Sequence, residues 1–323
     1  MTPPSRDPAP LGSPAIEIRG LRKEYGETVA VDDLDLVVPR GATYALLGPN
    51  GSGKTTTIRT LLRIQEPDAG EVRVLGEEPG PDVRDRIGYL PEERGLYPRM
   101  RVREVLTFLA ELKGMSPRDS RPRIDAWLER VGLADRADDR VQALSKGLQQ
   151  KLQFVAAVVH EPEIVILDEP FSGLDPINQQ ALREIVGEIR RSERTILFST
   201  HIIEHAERLC DHVCILSHGR AVVEGEVGRV KREHGGRHVG LTLDPWTPES
   251  VAAVRAAPEV AGVHQDGHAI ELSLADGADP RALLARLVRS GVGLTRFEVV
   301  EPSLQQVFIE RVGTRPIEEG ALV

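Results

Sequence analysis

The sequence predicts an α/β fold: a mainly parallel sheet with an inserted helical subdomain, an antiparallel β subdomain, and a small C-terminal α+β domain. Three observations carry this reading. Residues 43–47 read as a buried strand that enters a glycine-rich turn and then a helix-patterned stretch. Two β-branched runs, 164–167 and 195–199, flank a helical pattern at 179–191, and strands alternating with helices in this way build parallel sheets. Near residues 231–237 the composition turns charged and glycine-rich, after which short strand and helix patterns resume.

Taken in order, residues 1–14 are proline-rich and aperiodic and read as a disordered leader. The main domain spans 15–232. Residues 15–19, 35–38 and 72–75 read as strands, and 56–62 as a helix. From about 93 to 160 the pattern is helical, with Pro117 and Pro122 as punctuation. A linker is placed at 231–237. The second domain, 237–314, carries strand patterns at 238–243, 269–274 and 294–300 and helix patterns at 251–257, 280–288 and 303–311. No chemical motif falls within it, and 315–323 reads as a tail.

Composition narrows the function. Hydrophobic content of 40% and charged content of 28% belong to an ordinary globular chain of 323 residues. A net charge of −9 argues against nucleic acid as a partner, because phosphate backbones require a basic face. No apolar run approaches the roughly 18 residues of a membrane span, and the N-terminus lacks an apolar signal core. Cys210 and Cys214 form no disulfide framework and read as buried thiols in a reducing cytosol.

The chemistry begins at Gly48-Pro49-Asn50-Gly51-Ser52-Gly53-Lys54-Thr55, with Thr56 opening the helix that follows. The spacing G-x-x-x-x-G-K-[ST], between strand and helix, defines a phosphate-binding loop. Its glycines let backbone N–H groups face an anion, and the helix start adds unpaired donors. Lys54 is placed to reach the outer phosphates and Thr55 to ligate Mg²⁺. Only six of the 41 basic residues are lysines, so one at this position is not background.

Such a loop serves GTPases, kinases and helicases alike, so other motifs must decide. The strand 164–167 ends in Asp168 and Glu169. A strand-end aspartate suits a metal, and the next carboxylate is placed to accept a proton from attacking water. No Asn-Lys-x-Asp guanine reader occurs, which disfavours a GTPase. In Leu144-Ser145-Lys146-Gly147-Leu148, a serine and a glycine at a helix start make a second anion site.

Through these motifs the chain resembles the ABC ATPase family over roughly residues 15–230. The phosphate loop (48–55), signature loop (144–148), carboxylate strand (164–169), D-loop (172–175) and His201 follow in that family's order. The resemblance implies that Tyr25 stacks on adenine and that His201 contacts the γ-phosphate. It also implies that Asp175 belongs to the D-loop, and that Ser145, Lys146 and Gly147 face the ATP held by a second copy. One phosphate loop and one signature per chain then imply a homodimer enclosing two ATP molecules, coupled to a separate transmembrane permease. The expected location is cytoplasmic, at the inner membrane face through that permease, with the stretch 93–112 docking it.

Two departures stand out. Glu92 occupies the position of the family's glutamine, where a carboxylate can ligate Mg²⁺ or orient water. Lys146 and Leu148 replace a glycine and a glutamine of the signature; Lys146 either adds charge near the opposing phosphate or faces solvent. Both departures, and the Ser303-Leu-Gln-Gln-Val-Phe308 segment, resemble Nat-type sodium-export and bacterial multidrug-type exporter ATPases, so sodium or drug efflux is the expectation. The rival is a nucleic-acid or ribosome clamp using the same ATP sandwich; a ligand-sensing C-terminal domain stays open. His201-Ile-Ile-Glu204-His205 also matches the inverted zinc motif H-x-x-E-H, although its place after a strand favours the switch-histidine reading. His212 reads as an ordinary surface or turn residue.

Overall fold

A computed structural model describes residues 13–313 apart from Arg94, 235–237, His268, Asp276 and 301–302. Most of the expected leader and all of the 315–323 tail lie outside the described residues. The chain divides into two compact units at Gly225/Glu226.

The first unit opens with β1 (Ile16–Tyr25), β2 (Thr28–Val38) and β3 (Thr43–Leu47), followed by α1 (Lys54–Leu61), β4 (Ala69–Val74), α2 (Pro81–Asp85) and β5 (Ile87–Leu90). A helical stretch follows: α3 (Val102–Leu112), α4 (Pro117–Arg130) and α5 (Lys146–Val158). The unit closes with β6 (Ile164–Asp168), α6 (Pro176–Arg191), β7 (Thr195–Thr200), α7 (Ile203–Leu209), β8 (His212–Ser217) and β9 (Arg220–Glu226). A three-stranded antiparallel sheet runs β2-β1-β4, and a six-stranded sheet runs β5-β6-β7-β3-β8-β9.

In the six-stranded sheet β5/β6, β6/β7, β7/β3 and β3/β8 all pair in parallel. Strands β3 and β6 are buried at every position, as expected of parallel strands covered on both faces. The apolar core joins the two sheets through Ile16, Leu36, Tyr44, Leu46, Ile58 and Ile166. Gly88 on β5 lies so close to α5 that a Cβ there would sit 1.9 Å from the Ala157 carbonyl oxygen.

Pro122 does not break the helical stretch, contrary to the sequence reading; α4 runs through it. Its ring is on the exposed side, where solvent can satisfy the carbonyl left without a donor. His212 is no turn residue either: it starts β8, with its ring stacked parallel to Tyr44 at 6.0 Å. Both cysteines are buried and unpaired, and burial raises both thiol pKa values well above the ordinary range.

The second unit contains α8 (Val227–His234), β10 (His238–Leu243), α9 (Pro248–Arg255), β11 (Val260–Asp266), β12 (Ala269–Leu274), α10 (Pro280–Arg289), β13 (Leu294–Val300) and α11 (Leu304–Val312). Its antiparallel sheet has the order β11-β12-β10-β13, so the β-α-β-β-α-β run is a split βαβ arrangement. Val239, Leu241, Leu272, Val254, Leu283 and Leu287 form its core.

Part of the expected linker is helix. Val227 and Val230, three apart, bury an apolar stripe of α8, which packs against α11. The charged residues Lys231, Arg232 and Glu233 concealed that stripe in the composition. The remaining linker positions, 235–237, lie outside the described residues.

Candidate functional site

The carboxyl ends of β3, β6 and β7 lie side by side, with Leu47 opposite Thr200 and Asp168 opposite Ser199. Ligand sites in parallel sheets form at this edge. The turn leaving β3 is fastened there by Gly48 N–H donating to the Thr200 carbonyl at 3.3 Å. Two of its glycines are sterically required. A Cβ on Gly53 (φ 105°) would lie 2.6 Å from the Ala30 carbonyl oxygen, and one on Gly48 would lie 2.5 Å from that of Leu216.

Gly53 is also the N-cap of α1, with no side-chain cap and no acidic residue in the first turn. The helix start therefore offers uncapped donors to an anion. Within this loop Pro49 is half-buried, Asn50 and Gly51 are exposed, and Thr55 and Thr56 are half-buried. The Ser52 hydroxyl is buried without a hydrogen-bond partner.

Lys54 is the centre of the arrangement. It is only 6% exposed, and its ammonium donates to the carbonyls of Gly48 (2.8 Å) and Pro49 (3.2 Å). Glu169 Oε1 lies 3.7 Å from Nζ. Burial lowers the lysine pKa, and Glu169, Asp168 and Glu92 act in the opposite direction. The same cluster raises the pKa of Glu92, through desolvation first and then through Asp168 and Glu169. The structure thus brings Glu92 into the electrostatic neighbourhood of the carboxylates.

Asp168 is fully buried. Thr55 Oγ1 donates to its Oδ1 at 3.4 Å, and so does the Ser199 hydroxyl. Its other oxygen, Oδ2, is buried with no partner. An orphaned carboxylate oxygen beside a threonine hydroxyl fits a hard cation that takes oxygen ligands, such as Mg²⁺. Glu169 (φ 47°) sits in a conformation unfavourable for a side chain of its size. Its N–H is held by the Ser199 hydroxyl at 3.1 Å and by the Ser199 carbonyl at 3.2 Å. His201 Nδ1 meets Glu169 Oε1 at 3.0 Å.

The zinc motif does not assemble. His201 pairs with Glu169, whereas His205 packs 4.4 Å from the Phe171 ring, and burial lowers its pKa to about 4. No group of three or more His, Cys, Asp or Glu side chains among the described residues is arranged to hold a metal.

Tyr25 ends β1, half exposed, with the Lys23 ammonium 5.8 Å from its ring centroid. Its hydroxyl donates to Gln65 Oε1, and Gln65 Nε2 donates to the Thr56 carbonyl at 3.0 Å, linking the tyrosine to α1. Ser145 caps α5, accepting from Leu148 N–H at 3.4 Å, and Ser145 and Lys146 are exposed while Gly147 is half-buried. Asp175 caps α6, accepting from the N–H groups of Ile177 and Asn178 at 3.0 Å each. Among the described residues no hydrogen bond or ion pair joins Ser145, Lys146 or Gly147 to the phosphate loop.

Sequence reasoning missed two residues here. Ser199 orients both Asp168 and Glu169 from the neighbouring strand. Gln153 Nε2 donates to the carbonyls of Pro91 (3.2 Å) and Glu93 (3.1 Å), holding the segment that carries Glu92. Only the second had a signal in sequence, as a glutamine at a buried helical position.

Comparison with known proteins finds relatives over most of the chain. Residues 31–172 match the ABC transporter family, and residues 225–312 match the ATP-binding protein DrrA1-3-like, C-terminal domain. The ABC transporter ATP-binding protein YhaQ of Bacillus subtilis (strain 168) is 41% identical, covering 92% of this chain and 98% of its own. The Nod factor export ATP-binding protein I of Rhizobium sp. (strain N33) is 36% identical, over 93% of this chain and 97% of its own. A solved ATP-binding subunit of an ABC transporter superposes with a TM-score of 0.64 at 35% identity, covering 68% of this chain and 93% of that one.

Proposed function

The chain belongs to the ABC transporter ATP-binding family, and from that premise we propose that it hydrolyses ATP at a site shared between two copies and thereby drives a transmembrane exporter. The observation that carries this reading is the convergence of Lys54, Thr55, Asp168, Glu169 and His201 at one sheet edge.

The phosphates would lie on the uncapped start of α1 and draw Lys54 away from its loop carbonyls. Thr55 and Asp168 Oδ2 would hold Mg²⁺, which when bound neutralises charge on the outer phosphates. Glu169 would take the proton from the attacking water, with His201 orienting its carboxylate. Tyr25 would stack on the adenine. Ser145, Lys146, Gly147 and Asp175 of the second copy would close over the γ-phosphate. Positioning and preset charge then supply most of the acceleration.

The partner would be a permease seated on a groove of about 380 Å³ lined by Ile64, Tyr89, Leu96, Leu109 and Leu112. Ile64 and Leu112 are 59% and 62% exposed there, an apolar patch that invites cover. No helix among the described residues is long and apolar enough to cross a membrane, so membrane work would fall to that partner. Export is favoured because a relative of matching length is named for it.

Steady-state phosphate release by the purified chain tests the chemistry. Glu169→Gln should lower turnover by at least about 100-fold while keeping ATP affinity. Turnover close to that of the parent would remove Glu169 as the base.

A further inference from the structure

We infer that Asn178 is a positioning residue that locks the signature loop to the D-loop, so that both meet the second copy's nucleotide as one surface. The inference rests on the shared-site reading above.

The Asn178 carboxamide lies over Gly147. A Cβ built on Gly147 would be 2.6 Å from Asn178 Nδ2 and 3.1 Å from its Cγ. Gly147 does not have a positive φ, so at this position glycine serves space rather than backbone conformation. The same Nδ2 donates to Asp175 Oδ2 at 2.5 Å, while Asp175 Oδ1 accepts the N–H groups of Ile177 and Asn178. These donors lower the Asp175 pKa, so the carboxylate that orients the carboxamide stays ionised.

Each loop is also tied to its own helix in the same manner. Gln149, four residues after the cap Ser145, donates to the carbonyls of Leu144 (3.0 Å) and Val141 (3.2 Å). Gln179, four residues after the cap Asp175, donates to the carbonyls of Leu174 (3.1 Å) and Phe171 (3.5 Å). Gln150 Nε2 bridges to the Pro170 carbonyl at 3.3 Å on the buried side. Asn178 is the tie on the half-exposed side, where the loops would face another copy. Two loops that close a catalytic site must hold their relative placement to within about 1 Å, or lose on the order of 100-fold in rate.

The test uses the full chain carrying Glu169→Gln, followed by sedimentation velocity with ATP and Mg²⁺. That parent should dimerise; if it stays monomeric, the shared-site reading falls and this inference with it. Adding Asn178→Ala should weaken the dimer about tenfold. Nucleotide affinity of the monomer should be unchanged, which also reports that the variant is folded. Asn178→Asp, of the same shape, sets a second carboxylate against Asp175 and should weaken it equally.

Gly147→Ala should also lose dimerisation, and Gly147→Ala/Asn178→Ala should recover part of it, because the new methyl group enters the space the carboxamide leaves. With Glu169 intact, Asn178→Ala should lower turnover at saturating ATP, and raising the protein concentration should restore part of it. Parental dimerisation by Asn178→Ala, or no recovery in the double variant, would overturn the link.

Discussion

Around Glu169, the buried Lys54 ammonium, the buried Asp168 carboxylate and the partly exposed His201 imidazole lie close together, and Lys54 supplies the positive charge beside the two carboxylates. His205, 6% exposed behind the site, shows the cost of burial without such a partner. Its pKa is lowered from 6.5 to about 4, and its Nδ1 has no hydrogen-bond partner. Above pH 6.5 both folded and unfolded chains keep it neutral. As pH falls from 6.5 to about 4 only the unfolded chain takes up the proton, so stability is lost through that window and levels off below it. His205→Leu should therefore flatten the decline of the unfolding free energy, read from urea denaturation, over this range by about 1.4 kcal/mol per pH unit. An unchanged slope would show that the imidazole titrates normally. The motif spacings brought Lys54, Thr55, Asp168 and Glu169 into view because each is fixed by a local strand-turn-helix geometry, whereas His201 came from the family resemblance. Ser199 escaped because its role comes from the register of β7 against β6, which no local pattern records.

At the scale of elements, α5 does three jobs: it starts at the Ser145 cap, it carries Gln153 against the Glu92 segment, and it closes on β5 at Gly88. Because a Cβ there would meet helix backbone and the Pro162 ring, the helix itself would have to move. Gly88→Ala should lower stability by about 3 kcal/mol, roughly 10 °C in unfolding temperature. A variant melting with the parent would contradict the close approach. Strands buried on both faces, such as β3 and β6, were legible from their unbroken apolar runs. Strand β11 was not, because Gly262, His264, Gln265 and Asp266 dilute its alternation and its pairing with β12 supplies what the sequence lacks. The length of β1 and β2 was hidden similarly, since charged residues line their exposed positions.

The molecule as a whole is two units, and the charged composition of α8 moved the expected boundary past the observed division at Gly225. The first unit bears both the cluster around Lys54 and Glu169 and the apolar groove, which separates two kinds of failure. Replacing Ile64 and Leu112 by Glu should leave ATP turnover of the purified chain intact and abolish its co-purification with a membrane protein from cell membranes. Retained capture would place the docking surface elsewhere. The central claim is that one copy supplies the phosphate loop and the other the signature. Lys54→Ala and Ser145→Arg should each be inactive alone, because each removes one half from both sites. Mixing the two variants and assaying ATP hydrolysis tests the claim directly: mixed dimers contain one site with both halves intact, so activity should return. A mixture that forms mixed dimers yet stays as inactive as its parts would contradict it.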